Sequence, residues 1–361
     1  MPPFLYEAFA TKETFFGRKQ ELSKIFSITN SSNNLLIYSL RRFGKSSLMQ
    51  EYMRQDKDSL CIYVDIFEIT SKNDFANLLL KAIAQAQKGS IAQSIVRLSK
   101  MFTRASFEII FDGVSGKTKI AASIMNLSFE DAMEDIFKVL FKMSEEKGVV
   151  LIIDEFQQIS KIKDVKIDAI MRKYMQTKMD ISYIFLGSKR HTLTELFKYK
   201  APLYEMATHF ELEGIDTNNY IEYIQKHLRI NDDLILYIID KARFETKLIQ
   251  HICHILYIVH KKKEITKDFI DEKLREIILS KDTAYSMIYD NLTLNKKKAF
   301  KIVANYVDFY KKDILEEYKL SKQALLSAFN ALYKDEIIDK KDSWFIPDRT
   351  LELWGILKFG K

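Results

Sequence analysis

Four short runs of this chain are apolar almost without alternation, NLLIYSL (34–40), LCIYVDIF (60–67), GVVLIIDEFQQI (148–159) and ISYIFLGSKRH (181–191), and HFELEGI (209–215) reads as a last short strand. A strand with one wet face alternates apolar and polar residues, whereas a strand apolar throughout is covered on both faces. Between the runs lie segments with helical spacing: KSSLMQEYMRQ (45–55), DFANLLLKAIAQAQ (74–87), SFEDAMEDIFKVLFKMSEE (128–146) and residues 165–178. In the third of these, Ser128 stands as an N-cap with Asp131 three residues on. Such alternation predicts an α/β fold with a parallel sheet enclosed by helices.

The pattern breaks twice. SFEIIFDGVSGKTKIAASIM (106–125) reads as two extended runs about a Gly-containing turn, a β-hairpin inserted at about 105–127. Beyond residue 215 the strands stop and residues 216–278 read as helices. Near the C-terminus, helices at 295–307, 312–319 and 321–334 precede two short extended runs, IIDK and SWFI. That is the order of a winged helix. The expected domains are therefore 1–215 (sheet), 216–290 (helical lid) and 291–361 (winged helix), with residues 1–15 an irregular arm. The chain has only 10 Gly and 4 Pro, so long flexible linkers are not expected and each glycine is informative.

One such glycine lies in SLRRFGKSSL (39–48). A strand, a turn and a helix opening at Gly44-Lys45-Ser46 is the layout of a phosphate-binding P-loop, G-x-x-x-x-G-K-[ST], with Ser39 in place of the first glycine. Backbone N–H groups and a helix N-terminus converge on the anion there. Lys45 is expected at the β- and γ-phosphates and Ser46 on Mg²⁺. Ser39, Arg41, Arg42, Phe43, Gly44 and Ser47 complete the loop expected to cradle ATP. Gly116-Lys117-Thr118 also spells GKT, but a hairpin offers no helix N-terminus and this copy is set aside.

The other chemistry sits at strand ends. Asp154, closing VVLIID, is placed to hold the metal's shell, and Glu155 to polarise the attacking water. Ser188, after YIFLG, is placed to contact the γ-phosphate. Lys189 and Arg190 read as a solvated basic pair.

Taken in order, FFGRKQEL, SLRRFGKSSL, IIDEFQQI, FLGSKR and APLYEMATHFELEGI resemble the archaeal-type ATPases, a prokaryotic family of the AAA+/STAND P-loop group. SWFIPDRTLELWG resembles the family's closing strand and helix. The resemblance implies a P-loop NTPase core with the P-loop strand beside the sensor strand, and Mg²⁺-dependent ATP hydrolysis. It also implies that Phe16, Gly17 and Arg18 lie near the adenine. Two positions depart from the family pattern. Glu205-Met206 stands where relatives carry Gly-Arg, a candidate arginine finger, and FETKLIQ (244–250) stands where they open the last lid helix with a Gly-x-Pro turn. The loss of such an arginine leaves a binding-only nucleotide switch open beside the ATPase. The same motifs resemble the archaeal origin-binding initiators, which keeps nucleotide-dependent DNA binding open as well.

The net charge of +7 permits nucleic-acid binding without requiring it. The expected recognition helix, 321–337, sets Lys322 and Lys334 against Asp335 and Glu336, with Gln323 and Asn330 as its base-reading candidates. Protein contact or autoinhibition of the ATPase fits this unit at least as well as DNA, and a homo-oligomer stays open. No apolar run approaches a membrane span, no signal peptide is evident, and Cys61 and Cys253 read as reduced thiols of a cytoplasmic protein.

Overall fold

In the computed structural model, residues 2–86, 102, 105–112, 117–124, 128–177, 180–188, 190–259 and 264–360 are described. They form two units. One holds residues 18–40 and 45–213; the other gathers 1–17, 41–44 and 214–361.

The first unit is built on a five-stranded parallel sheet in the order β2-β5-β6-β1-β7. Its strands are β1 (Leu35–Tyr38), β2 (Leu60–Asp65), β5 (Val149–Asp154), β6 (Ile181–Gly187) and β7 (Thr208–Glu211). Every residue of β5 and β6 is buried, as their unbroken apolar runs require. Edge strand β7 is exposed or half-buried throughout, which accounts for its more polar THFE.

The helices are α1 (Lys19–Thr29), α2 (Lys45–Gln55), α3 (Lys72–Ala86), α4 (Phe129–Glu146), α5 (Ile167–Met175) and α6 (Arg190–Glu195). The apolar faces of α3, α4, α5 and α6 meet the sheet in one core that includes Leu36, Phe75, Phe137, Phe156 and Phe185, and Leu22 and Ile25 of α1 and Leu48, Met49 and Tyr52 of α2 are buried as well. The α4 cap is as expected: the Asp131 N–H donates to Ser128 Oγ at 3.1 Å. The hairpin is formed by β3 (Ala105–Asp112) and β4 (Lys117–Ile124), paired antiparallel. Lys117 and Thr118 of the second GKT open a strand, not a helix; Gly116 lies outside the described residues.

The second unit is helical. It contains α7 (Thr217–Leu228), α8 (Asp232–Ala242), α9 (Thr246–Val259), α10 (Lys267–Leu279) and α11 (Asp282–Asp290). After these come α12 (Leu294–Asn305), α13 (Lys312–Glu317), α14 (Lys322–Lys334), the two-residue strands β8 (Asp339–Lys340) and β9 (Trp344–Phe345), and α15 (Arg349–Phe359). One apolar cluster, from Phe4 to Trp354, runs through the unit. The N-terminal arm is irregular, as expected, yet it is firmly anchored. Phe4 is 1% exposed, the Tyr223 hydroxyl donates to the Pro3 carbonyl at 2.6 Å, and His254 Nδ1 lies 2.9 Å from the Phe4 carbonyl oxygen. Tyr6 stacks on His251 at 3.9 Å. A single aromatic outside any periodic pattern carries no sequence signal of burial.

Candidate functional site

The parallel register sets the strand ends side by side. Tyr38 of β1 pairs with Gly187 of β6, and Asp65 of β2 with Asp154 of β5. The polar residues at or just past these ends are therefore neighbours. In doubly wound sheets this carboxyl edge is where ligands bind.

Between β1 and α2, Arg42 and Gly44 take left-handed backbone angles, φ 69° and 92°. A Cβ at Gly44 would touch nothing within 4 Å, so glycine is needed there for the angle and not for space. The Lys45 ammonium is buried and folded back on the loop. It donates to Ser39 Oγ at 2.9 Å, to the Ser39 carbonyl at 3.2 Å and to the Leu40 carbonyl at 3.3 Å. The residue in place of the first glycine thus supplies a hydroxyl that holds the lysine.

Ser46 Oγ donates to Asp154 Oδ2 at 3.3 Å, and the Tyr63 hydroxyl donates to the same oxygen at 2.5 Å. Asp154 is 4% exposed. Burial, then the Asp154 charge, pushes the Tyr63 phenol well above its ordinary range. Burial also raises the Asp65 carboxyl, helped by the charges of Asp154 and Glu155. Tyr63 was not anticipated from the sequence; its place on β2 opposite Ile152 becomes visible only once the strands are in register. A hydroxyl and a carboxylate oxygen on one spot suit a hard cation that takes its other oxygens from phosphate and water. Among the described residues no three His, Cys, Asp or Glu side chains cluster as a metal site.

Glu155, just past β5, has φ 55° and ψ 37°, a conformation costly to a residue with a side chain. Ser188 Oγ lies 3.2 Å from each Glu155 carboxylate oxygen, and the Gln157 amide donates to Oε2. Ser39, Lys45, Ser46, Asp154, Glu155 and Ser188 are thus joined within this unit by local contacts: the lysine to Ser39, Ser46 to Asp154, and Ser188 to Glu155. Ser47 follows in the first turn of α2. Arg18 is 3% exposed and donates to Glu21 at 2.6 Å and to the Glu213 carbonyl at 2.7 Å. Met206 packs against the sheet core. Lys189 lies outside the described residues.

The remaining candidates lie in the helical unit. Phe16 stacks on Tyr223 at 3.8 Å. Gly17 has φ 69°, and a Cβ there would come within 2.5 Å of Ile215, so only glycine fits. Arg42 lies 2.5 Å from Asp348 and 3.5 Å from Glu245, and its carbonyl accepts from the Lys247 N–H at 3.1 Å. The Phe43 carbonyl faces Thr246 Oγ1 at 3.5 Å. Arg41 is exposed, 3.7 Å from Glu336.

Asp348 also caps α15, accepting from the Thr350 and Leu351 N–H groups at 3.1 and 3.2 Å. Burial works against its charge, but Arg42, the Thr350 hydroxyl and the Leu351 N–H outweigh it and hold the carboxyl below its usual value. Burial acts against the Arg42 charge too, and there Asp348 and Glu245 prevail. Glu245 is pushed up to about 7, by burial first and despite Arg42. FETKLIQ, which departs from the family's turn, thus supplies a buried acid facing a loop arginine.

A model of the ATPase domain predominantly from Archaea matches residues 15–234. Among curated proteins none matches. A Walker-type ATPase of Pyrococcus abyssi superposes with a TM-score of 0.64 at 15% identity, over 98% of this chain and 99% of that one. The ORC1 protein of Aeropyrum pernix, solved in complex with DNA, does so with a TM-score of 0.50 at 12% identity, over 96% and 94%. At these identities the superpositions speak for the fold.

Proposed function

The chain belongs to the family of ATPase domains found predominantly in Archaea, and on that premise we propose that it is a Mg²⁺-dependent ATPase whose turnover drives a conformational switch. Lys45 leaves Ser39 to bind the β- and γ-phosphates. Ser46 and Asp154 hold Mg²⁺, which when bound neutralises the charge that develops on the phosphates. Glu155 orients the attacking water and accepts its proton. Ser188 contacts the γ-phosphate. Phe16, Gly17 and Arg18 serve the adenine, and Arg41, Arg42, Phe43 and Ser47 belong to the loop that surrounds the nucleotide.

The observation that carries this reading is the pair of contacts Ser46–Asp154 and Ser188–Glu155 at neighbouring strand ends. Ser46, the potential metal ligand, and Ser188, the potential γ-phosphate contact, each already touch the acid they would work with.

Residues 216–290 act in this reading as a lid and 291–361 as a winged helix that responds to it. A protein partner or a second copy is favoured over DNA. The apolar face of α14, with Leu325, Phe329 and Leu332, is buried in its own core, and over residues 321–337 Lys322 and Lys334 are balanced by Asp335 and Glu336 just past the helix. The unpaired thiols Cys61 and Cys253 fit the cytoplasm. Among the described residues no helix is long and apolar enough to cross a membrane.

The test is ATP binding and hydrolysis by the wild type, Lys45→Ala and Glu155→Gln. Lys45→Ala is expected to lose binding; Glu155→Gln is expected to keep binding and lose turnover. Undiminished ATP affinity in Lys45→Ala would remove the assignment. Single-turnover cleavage separates the enzyme from a switch that only binds, and duplex binding across a salt series tests the DNA alternative.

A further inference from the structure

We propose that Gln157 is the positioning residue that holds the carboxylate of Glu155 in line for the attacking water; this rests on the reading of Glu155 given above. Gln157 lies in the 3-10 helix Phe156–Lys161 and is 1% exposed. Its Nε2 donates to Glu155 Oε2, and its Oε1 has no hydrogen-bond partner. Exchanging the two amide ends would bring an acceptor against a carboxylate, so the chemistry of the pair sets the orientation.

Two features make this contact more than packing. The first is the backbone. Glu155 stands in the left-handed region with φ 55°, outside both strand and helix, so regular structure does not aim its side chain. The amide reaches it by running along the end of β6. A Cβ at Gly187 would come within 2.2 Å of Gln157 Oε1, and it is the bare glycine that leaves the passage open. A buried amide oxygen left unpaired is unfavourable, and an apolar side chain of the same length would avoid that cost. What the glutamine adds over such a side chain is an amide donor group, and one of its two N–H bonds is directed at Glu155.

The second feature is the other donor. Among the described residues, the side-chain donors to the Glu155 carboxylate are Ser188 and Gln157. A serine hydroxyl has one proton. When Ser188 turns that proton to a γ-phosphate oxygen, it releases Glu155, and Gln157 remains as the tether. The amide has no competing role, since the phosphate is served by Ser188 and Lys45.

The experiment measures steady-state Mg-ATP hydrolysis and the affinity for a fluorescent ATP analogue, using full-length wild type, Gln157→Met, Gln157→Glu, Gln158→Met and Glu155→Gln. Gln157→Met keeps the length and removes the donor. Its kcat is expected to fall on the order of 10- to 100-fold, as for a slightly misaligned catalytic group, with affinity kept within about twofold. Gln157→Glu sets two carboxylates together. Its activity relative to wild type is expected to rise as the pH is lowered from about 8 to about 6, because the protonated acid donates as the amide did. Gln158→Met removes the neighbouring buried amide and should keep kcat within about twofold.

A wild-type kcat in Gln157→Met, where Glu155→Gln is inactive, overturns the proposal and leaves the ATPase reading intact. So does an equal loss in Gln157→Met and Gln158→Met, which would mark the amides as structural. Turnover undiminished in Glu155→Gln, or no ATP binding by the wild type, refutes the reading of the site and the proposal with it.

Discussion

The strand-end acids and the loop arginines belong to one nucleotide-binding motif set, yet they are held in different ways. Asp154 and Glu155 find their partners across neighbouring strands of a single sheet: Tyr63 on β2, Ser46 at the start of α2 and Ser188 after β6. Arg42 finds its partners in the helical unit, at Glu245 and Asp348. The first group is placed by backbone register, which a side-chain change hardly moves. The second is placed by side-chain charge pairs, which a single substitution undoes. A motif that is continuous in sequence can therefore have one half rigidly pre-set and the other half conditional.

The most severe way to sharpen this contrast is Glu155→Gln. Its kcat should fall by about 10²- to 10⁴-fold, the usual contribution of a general base, with melting temperature and ATP affinity nearly unchanged. A large loss of stability would mean that the strand end is not pre-set. Asp348→Ala should do the reverse. It leaves Arg42 and the α15 N-terminus without their shared acceptor and should lower the stability of the protein in urea by about 2 kcal/mol, since Arg42 is only partly shielded from water. No change in stability would break the comparison.

Glu245→Gln probes the same cluster through pH. The folded carboxyl titrates near 7, above its unfolded value. The folded state therefore binds the extra proton, and the group's stabilising contribution is complete below the unfolded pKa and lost as pH rises through 7. Between about pH 5 and pH 8 the variant should gain about 2 kcal/mol relative to wild type, read from paired urea curves. A difference that stays flat with pH would show that Glu245 remains ionised throughout. The smallest effect is expected at Arg41. Its exposed pair with Glu336 is worth about 0.5 kcal/mol or less, so Arg41→Ala should melt almost as the wild type does.

These differences also decide what could be read in the sequence. The sheet, the hairpin and the acids after β5 were legible because unbroken apolar runs require a covered strand, and because a carboxylate at the end of such a run emerges at the carboxyl edge. Ser39 was legible only as a missing glycine; that its hydroxyl holds Lys45 depends on the path of the loop. Tyr63 sits within an apolar run and reads as core until β2 and β5 are set in register. Glu245 and Asp348 were beyond reach for another reason. Each stands in an ordinary helix-start context, and its meaning comes from an arginine 203 and 306 residues away in the numbering. Phe4 was missed because the residues around it have no periodicity to place it inside.

The anchored arm has a consequence for how the protein is made. The helical unit draws its core from both ends of the chain, with Phe4 packed among residues beyond 214. During synthesis the arm emerges first and must wait, apolar side chain and all, until its seat has been translated. The sheet unit is complete far earlier and can fold while the remainder is still being made. Closing the long loop between arm and seat costs little more than closing one half its length, about 0.6 kcal/mol per doubling. The delay is the larger burden, because a waiting apolar segment is open to wrong partners. Removing residues 1–6 should therefore leave the sheet unit as it is and the helical unit with a hole where Phe4 belongs.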